Sequence, residues 1–184
     1  MARQFRQQVD QGILDRAAAL FAQHGFAHTS LQSLADAVGL SKAGLLHHFP
    51  SKDALYAAAI EEGRTHARRA LEQVGGLPPG PARDRRAIEV MTDIALDRPG
   101  LVALLLRPLT TMEADVLAEG DVFAFEAFAV DPEAGDPDRL IRVTGALGAL
   151  AVLCLAAHQI GDRTLWRAQI IATCFDALGH ERKA

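Results

Sequence analysis

The stretch 31–49, Leu31-Gln32-Ser33-Leu34-Ala35-Asp36-Ala37-Val38-Gly39-Leu40-Ser41-Lys42-Ala43-Gly44-Leu45-Leu46-His47-His48-Phe49, decides how this chain is read. Thr29-Ser30 precede it, and its first half predicts a helix that stops at Gly39, a residue suited to the left-handed cap position. Ser41 then offers an oxygen to the unpaired N–H groups of a second short helix. Leu34, Ala35 and Val38 share one face of the first helix, and Leu45 and Phe49, four apart, share one face of the second. Small residues (Ala35, Ala37, Gly39) let the two helices cross closely. This is the helix-turn-helix construction, whose second helix enters the major groove while the first braces it. With Leu45 and Phe49 inward, the outward face shows Lys42, Ala43, Leu46 and His47.

Working outward, apolar residues recur at helical spacing nearly everywhere. Val9, Ile13, Leu14, Ala17, Leu20 and Phe21 form one stripe that ends at Gly25. Ser51-Lys52-Asp53 opens a long helix reaching about Gln73, so three serines stand at three N-caps. Gly-Gly-Leu-Pro-Pro-Gly-Pro over 75–81 reads as a linker. Helices are then expected at 83–97, 99–107, 112–129, 137–160 and 164–179. The fold class is all-α with about nine helices. A three-helix unit over 1–51 carries the helix-turn-helix, and 52–184 form a larger helical body.

The 184 residues are 49% apolar, and 23 acidic against 19 basic side chains give a net charge of −4. A chain of this size buries roughly 70% of its unfolded surface, so it needs no disulfide or metal to fold. Cys154 and Cys174 sit in apolar helical patterns and read as buried thiols of a reducing cytoplasm. The N-terminus leads into no signal-like apolar region. The longest apolar stretch, 143–157, is shorter than the ~20 residues a bilayer requires, so no membrane span is expected. His24 and His28 are four apart, but Gly25 interrupts the helix between them, which argues against a metal site. No nucleophile–base order, paired carboxylates or phosphate-binding glycine loop emerges, and the expectation is a non-enzyme without cofactor. An acidic balance argues at first against nucleic acid. Residues 1–60, however, hold five Lys/Arg against four Asp/Glu, so the acid lies in the body.

Residues 13–62 closely resemble the DNA-binding region of tetracycline-repressor (TetR) family regulators. The hallmarks stand as Leu20-Phe21…Gly25-Phe26, Thr29, Leu34-Ala35…Gly39-Leu40-Ser41, Lys42-Ala43…Leu45…His48-Phe49 and Ser51-Lys52-Asp53…Leu55, without a gap. The resemblance implies a sequence-specific transcriptional regulator, a repressor that a small molecule releases from a double-stranded operator. It implies that Thr29 meets a phosphate, that Lys42, Ala43, Gly44 and His47 face the groove, and that His48 and Lys52 touch the backbone. Ser41 would combine capping with phosphate contact. The family's usual Tyr is replaced by Leu46, which has no hydroxyl and is left to pack on a sugar or thymine methyl. That replacement keeps open an alternative, a TetR-like helical ligand carrier that has lost DNA binding.

In the body, 112–138 hold nine acids and no Lys or Arg, together with Met112, Phe123, Phe125 and Phe128. One reading is a solvated acidic face over an aromatic patch. The other is a ligand cavity lined by Leu105, Leu109, Met112, Phe123, Phe125 and Phe128, with Cys154 and His158 facing it. Its acidic rim would favour a small hydrophobic, cationic or amphipathic ligand. Half-site reading needs two copies about one DNA turn apart, ~34 Å. The expected homodimer surface is a four-helix arrangement of 137–160 and 164–179, with Gly145, Gly148, Leu165, Trp166 and Ile170. Tilting of the long helix that begins at Lys52 would couple ligand to DNA.

Overall fold

The computed structural model describes residues 2–111, 123–131, 136–161 and 163–180, with side chains described for 8–107, 123–131, 136–161 and 165–180. The described residues form nine helices: α1 (Ala2–His28), α2 (Leu31–Val38), α3 (Lys42–His48), α4 (Lys52–Val74), α5 (Pro81–Asp97), α6 (Pro99–Thr111), α7 (Phe123–Ala127), α8 (Pro137–Ile160) and α9 (Arg163–Ala177). Of the helix expected over 112–129, the described part is α7. Met112, the Leu109 side chain and the acids Glu113, Asp115, Glu119, Asp121 and Glu133 lie outside the described residues.

Local chemistry sets the first breaks. Gly25 interrupts α1 at φ 77°, ψ 161°, a conformation that costs glycine little and L side chains much. Its carbonyl accepts the Thr29 hydroxyl at 2.7 Å. Ser30 caps α2 by accepting from the Ser33 N–H, Ser41 caps α3 by accepting from Gly44, and Ser51 caps α4 by accepting from Ala54. Gly39 closes α2 in the left-handed region, and the Leu40 N–H donates to the Ala35 carbonyl at 2.9 Å.

Two apolar cores result. Ile13, Leu14, Ala17 and Phe21 of α1, Leu34 and Ala35 of α2, Leu45 of α3 and Leu55 and Ala59 of α4 pack together in the N-terminal head. Leu101 and Leu104 of α6 complete that core, so the head's packing extends beyond residue 51. The body core centres on α8, where Val143, Ala146, Leu147, Leu150 and Cys154 meet Ile88, Phe128, Ile170 and Cys174. Helix α8 has 24 residues and is long and apolar enough to cross a bilayer by length and composition, which a count of 143–157 alone understates. One of its faces, however, is the middle of the body core.

Two buried polar pairs pin the body. Arg83 donates through Nε to the Ala127 carbonyl, through Nη2 to that of Glu126 (both 2.8 Å) and through Nη1 to that of Leu77 (2.9 Å), closing the end of α7. Asp84 is fully buried between Arg139 at 2.7 Å and His180 at 2.6 Å. A buried carboxylate is tolerated only with such partners.

Helix α6 meets the head most closely at Gly100, where a Cβ would overlap the Asp15 carbonyl oxygen. The Asp15 carboxylate accepts the Leu101 N–H at 3.0 Å and so caps α6 from another helix. Burial raises the Asp15 pKa above the usual carboxylate value, and the Leu101 N–H and the charges of Arg98 and His158 only partly offset it. The folded state therefore holds the Asp15 proton more tightly than the unfolded state. Its contribution to stability is fullest below the unfolded pKa and falls as pH rises through the raised folded value. Asp15→Asn keeps an accepting oxygen and removes the charge. We expect a higher urea midpoint than wild type at pH 7 and a difference that vanishes on acidification through the carboxylate range. A variant less stable at pH 7 would contradict this.

Candidate nucleic-acid interface and body cavity

The second helix of the helix-turn-helix, α3, presents Ser41, Lys42, Ala43 and His47 to solvent, with Gly44 and Leu46 half-buried and Leu45 in the core. Its outward face therefore carries one ammonium, one imidazole and small side chains. This geometry suits a surface that must approach another molecule closely. Leu46 gives that face an apolar shoulder where a hydroxyl was expected from the resemblance.

Three other expected contact residues have partners inside the head. The Thr29 hydroxyl is buried and donates to Gly25, so its observed work is to close the break in α1. His48 Nδ1 lies 2.6 Å from Asp10 Oδ1 and ties α3 to α1. Lys52 Nζ donates to the Phe26 carbonyl at 2.8 Å and the Thr29 carbonyl at 3.0 Å. It also sits 4.1 Å from the Phe26 ring centroid, within cation–π range. Phe26 in turn packs on Phe21 and on Tyr56 of α4, with centroids 5.9 and 5.1 Å apart. Lys52 thus clamps the segment between α1 and α2 onto the start of α4. Sequence reasoning missed Asp10 because the pair spans 38 positions with no local signal.

The body holds an apolar cavity of about 80 Å3 between α4, α5, α6, α7 and α8. Leu105 and Phe123 line it as expected, whereas Phe125 packs on the body core and is absent from the lining. Phe128 and Cys154 are core residues, and His158 is exposed on α8. These three therefore do not form cavity wall, because α8 turns Leu147 and Leu150 toward that space. Burial pushes the Cys154 thiol up to about 12 and that of Cys174 to about 11, which makes both inert packing groups. Gly63, His66 and Met91 also line the cavity. They lie on α4 and α5, where helical spacing alone marks no shared space.

Helices α8 and α9 expose an apolar surface. Ile141, Val152, Ile160 and Leu165 are each at least 60% exposed. Gly145 and Gly148 have open space above them. Trp166 is half-buried against the body core, and Ile170 is buried within it. Ile170 is therefore core rather than surface, since it packs inward from α9. Among the described residues there is no cluster of three or more metal-ligating side chains.

A helix-turn-helix head on an all-helical body defines the class of fold. Residues 13–59, within the N-terminal head, match the family described as bacterial regulatory proteins, tetR family. HTH-type transcriptional regulator RutR of Escherichia coli (strain K12) is 44% identical over 52 residues, covering 28% of this chain and 24% of that protein. HTH-type transcriptional repressor KstR2 of Rhodococcus jostii (strain RHA1) is 44% identical over 43 residues, 23% of this chain and 21% of that one. The chain's match thus spans about a quarter of those relatives' length. A TetR-like transcriptional regulator from Rhodococcus sp. RHA1 has the same fold, with TM-score 0.55 and 22% identity over 94% of this chain and 97% of that one.

The Lys52 clamp is testable without any ligand. Hydrogen bonds to a charged donor are worth about 1.5–3 kcal/mol. Lys52→Ala should lower unfolding free energy in urea by a value in that range, and unchanged stability would show that the clamp contributes nothing.

Proposed function

We propose that this chain is a DNA-binding transcriptional repressor that works in the cytoplasm as a homodimer and leaves its operator when a small molecule occupies the body cavity. The observation that carries the reading is the outward face of α3. Lys42 and His47 are exposed on a short helix fixed at one end by the Ser41 cap and at the other by the His48–Asp10 pair. Lysine can donate to guanine O6 and N7, and each good base contact is worth about 1–3 kcal/mol. With so few base-directed groups, DNA shape and the doubled half-site carry the remaining selectivity. Few cations per head also mean a shallow salt dependence, about 0.9 per phosphate contact.

The exposed apolar residues of α8 and α9 support the dimer. A monomer would leave Ile141, Val152, Ile160 and Leu165 in water on adjacent helices, and pairing about a two-fold would remove them. The open positions over Gly145 and Gly148 allow a partner helix to come close.

A second reading, a helical ligand carrier without DNA binding, draws on the inward ties of Thr29, His48 and Lys52 and on Leu46. A salt-dependent gel shift against the DNA flanking the chain's own gene separates the two. On the repressor reading, wild type shifts that DNA, and His47→Ala loses preference at particular bases while retaining general affinity. An unchanged base preference would remove His47 from the groove.

Val152→Glu places a charge on the proposed dimer face. It should convert the dimer to monomer in analytical ultracentrifugation with helicity unchanged. A dimer that persists would place the interface elsewhere.

A further inference from the structure

The cavity sits where α4 crosses α6. At Gly63, a Cβ would stand 3.0 Å from Cγ and Cδ1 of Leu105, so the two helices approach as closely as a glycine permits. Leu101 and Leu105 of α6 both line the cavity, and Leu101 also belongs to the head core with Leu104. The same helix is therefore a cavity wall and a part of the head.

The lining is apolar except at one point. Among the described lining residues, only His66 has a side-chain nitrogen or oxygen. Its Nε2 is buried without a hydrogen-bond partner, and the Glu62 carboxylate stands 3.5 Å away. A buried nitrogen that makes no hydrogen bond, with a carboxylate at the long distance of 3.5 Å as its near neighbour, is where a guest's polar group gains most. An ion is disfavoured on either sign. Among the described lining residues no carboxylate is present to pair a cation, an anion faces Glu62 across His66, and stripping water from an unpaired charge is expensive. Size adds a constraint. The cavity's 80 Å3 is well below the ~150 Å3 of an engineered apolar cavity that admits benzene. A ring-sized guest enters only if a wall moves.

We infer that this cavity takes a small, uncharged, largely apolar molecule bearing one hydrogen-bonding oxygen, which meets His66 Nε2 and enters by pushing Leu105 away from Gly63. Displacing Leu105 moves α6, and α6 carries Leu101 and Leu104 in the head core. The effect on DNA rests on the repressor reading above; binding of the guest does not.

Calorimetric titration of the full chain without DNA, using phenol, toluene, benzoate and benzylammonium, tests the ligand class. A phenolic hydroxyl both donates and accepts, so it suits either tautomer of His66. Phenol should bind about five-fold tighter than toluene, the gain of one hydrogen bond, and both ions should fail to bind at the same concentrations. His66→Leu should bring phenol down to the level of toluene, and Ala67→Leu, which fills the cavity, should abolish both. Equal phenol and toluene affinities in wild type, binding of either ion as tight as phenol, or no binding of phenol would each overturn the assignment. In the gel shift, phenol should weaken DNA binding at least five-fold, as a coupling of about 1 kcal/mol or more implies. A DNA shift indifferent to bound phenol would overturn the α6 displacement. A chain that prefers phenol as described but never shifts DNA would remove the repressor reading and leave the cavity's ligand class intact.

Discussion

The seating of α6 on α1 is the contact on which the rest of the molecule depends. At Gly100 the two backbones meet with no room for a side chain, and Asp15 supplies the cap that the start of α6 lacks. A three-helix unit of about fifty residues buries too little apolar surface to be secure alone. Leu101 and Leu104 correct that shortage by filling the head core from outside. The head core is consequently complete only with the body's α6 in place. Any change in the angle of α6 is felt in the packing around Phe21, Leu34 and Leu45.

That dependence gives meaning to the polar ties inside the head. Lys52 holds the carbonyls of Phe26 and Thr29, His48 holds Asp10, and Thr29 holds Gly25. The His48 and Lys52 ties join segments that the sequence separates by more than twenty residues, so α3 has few ways to move independently of α1 and α4. Lys42 and His47 are presented by a preorganised helix, which reduces the ordering cost of binding. The same ties mean that a phosphate arriving at His48 or Lys52 competes with a carboxylate or with two carbonyls. Affinity should accordingly come from doubling the head rather than from many contacts on one.

Much of this was legible in the sequence because it is local. The caps at Ser30, Ser41 and Ser51, the break at Gly25 and the left-handed stop at Gly39 each follow from one residue and its near neighbours. The inward face of α2 and α3 followed from helical spacing, and the head's family from a motif of about fifty residues. What could not be read was contact between distant segments. Thr29 and Lys52 fit a phosphate-binding pattern by position, yet their polar atoms face the α1–α2 turn. Phe128 and Cys154 suit a cavity wall by aromatic and polar character, but which side of α8 faces the cavity depends on α5 and α9. Ile170 has the same apolar character as Leu165; one is buried and the other exposed because the body core contacts only one side of α9.

Helix α8 shows how one element can serve two surfaces. Val143, Ala146, Leu150 and Cys154 face the body core, while Ile141, Gly145 and Val152 face outward. An all-round apolar helix is normally covered on every side, and on the proposed dimer reading a second copy covers the outward side. In such a pair the distance between the two α3 helices would change through the joints between body and head. Those joints are α4, continuous from the head into the body, and α6, seated on α1. Both helices line the cavity, at Gly63 and His66 on one side and at Leu101 and Leu105 on the other. On the proposed reading, a guest between them would act on both helices that join the body to the exposed face of α3.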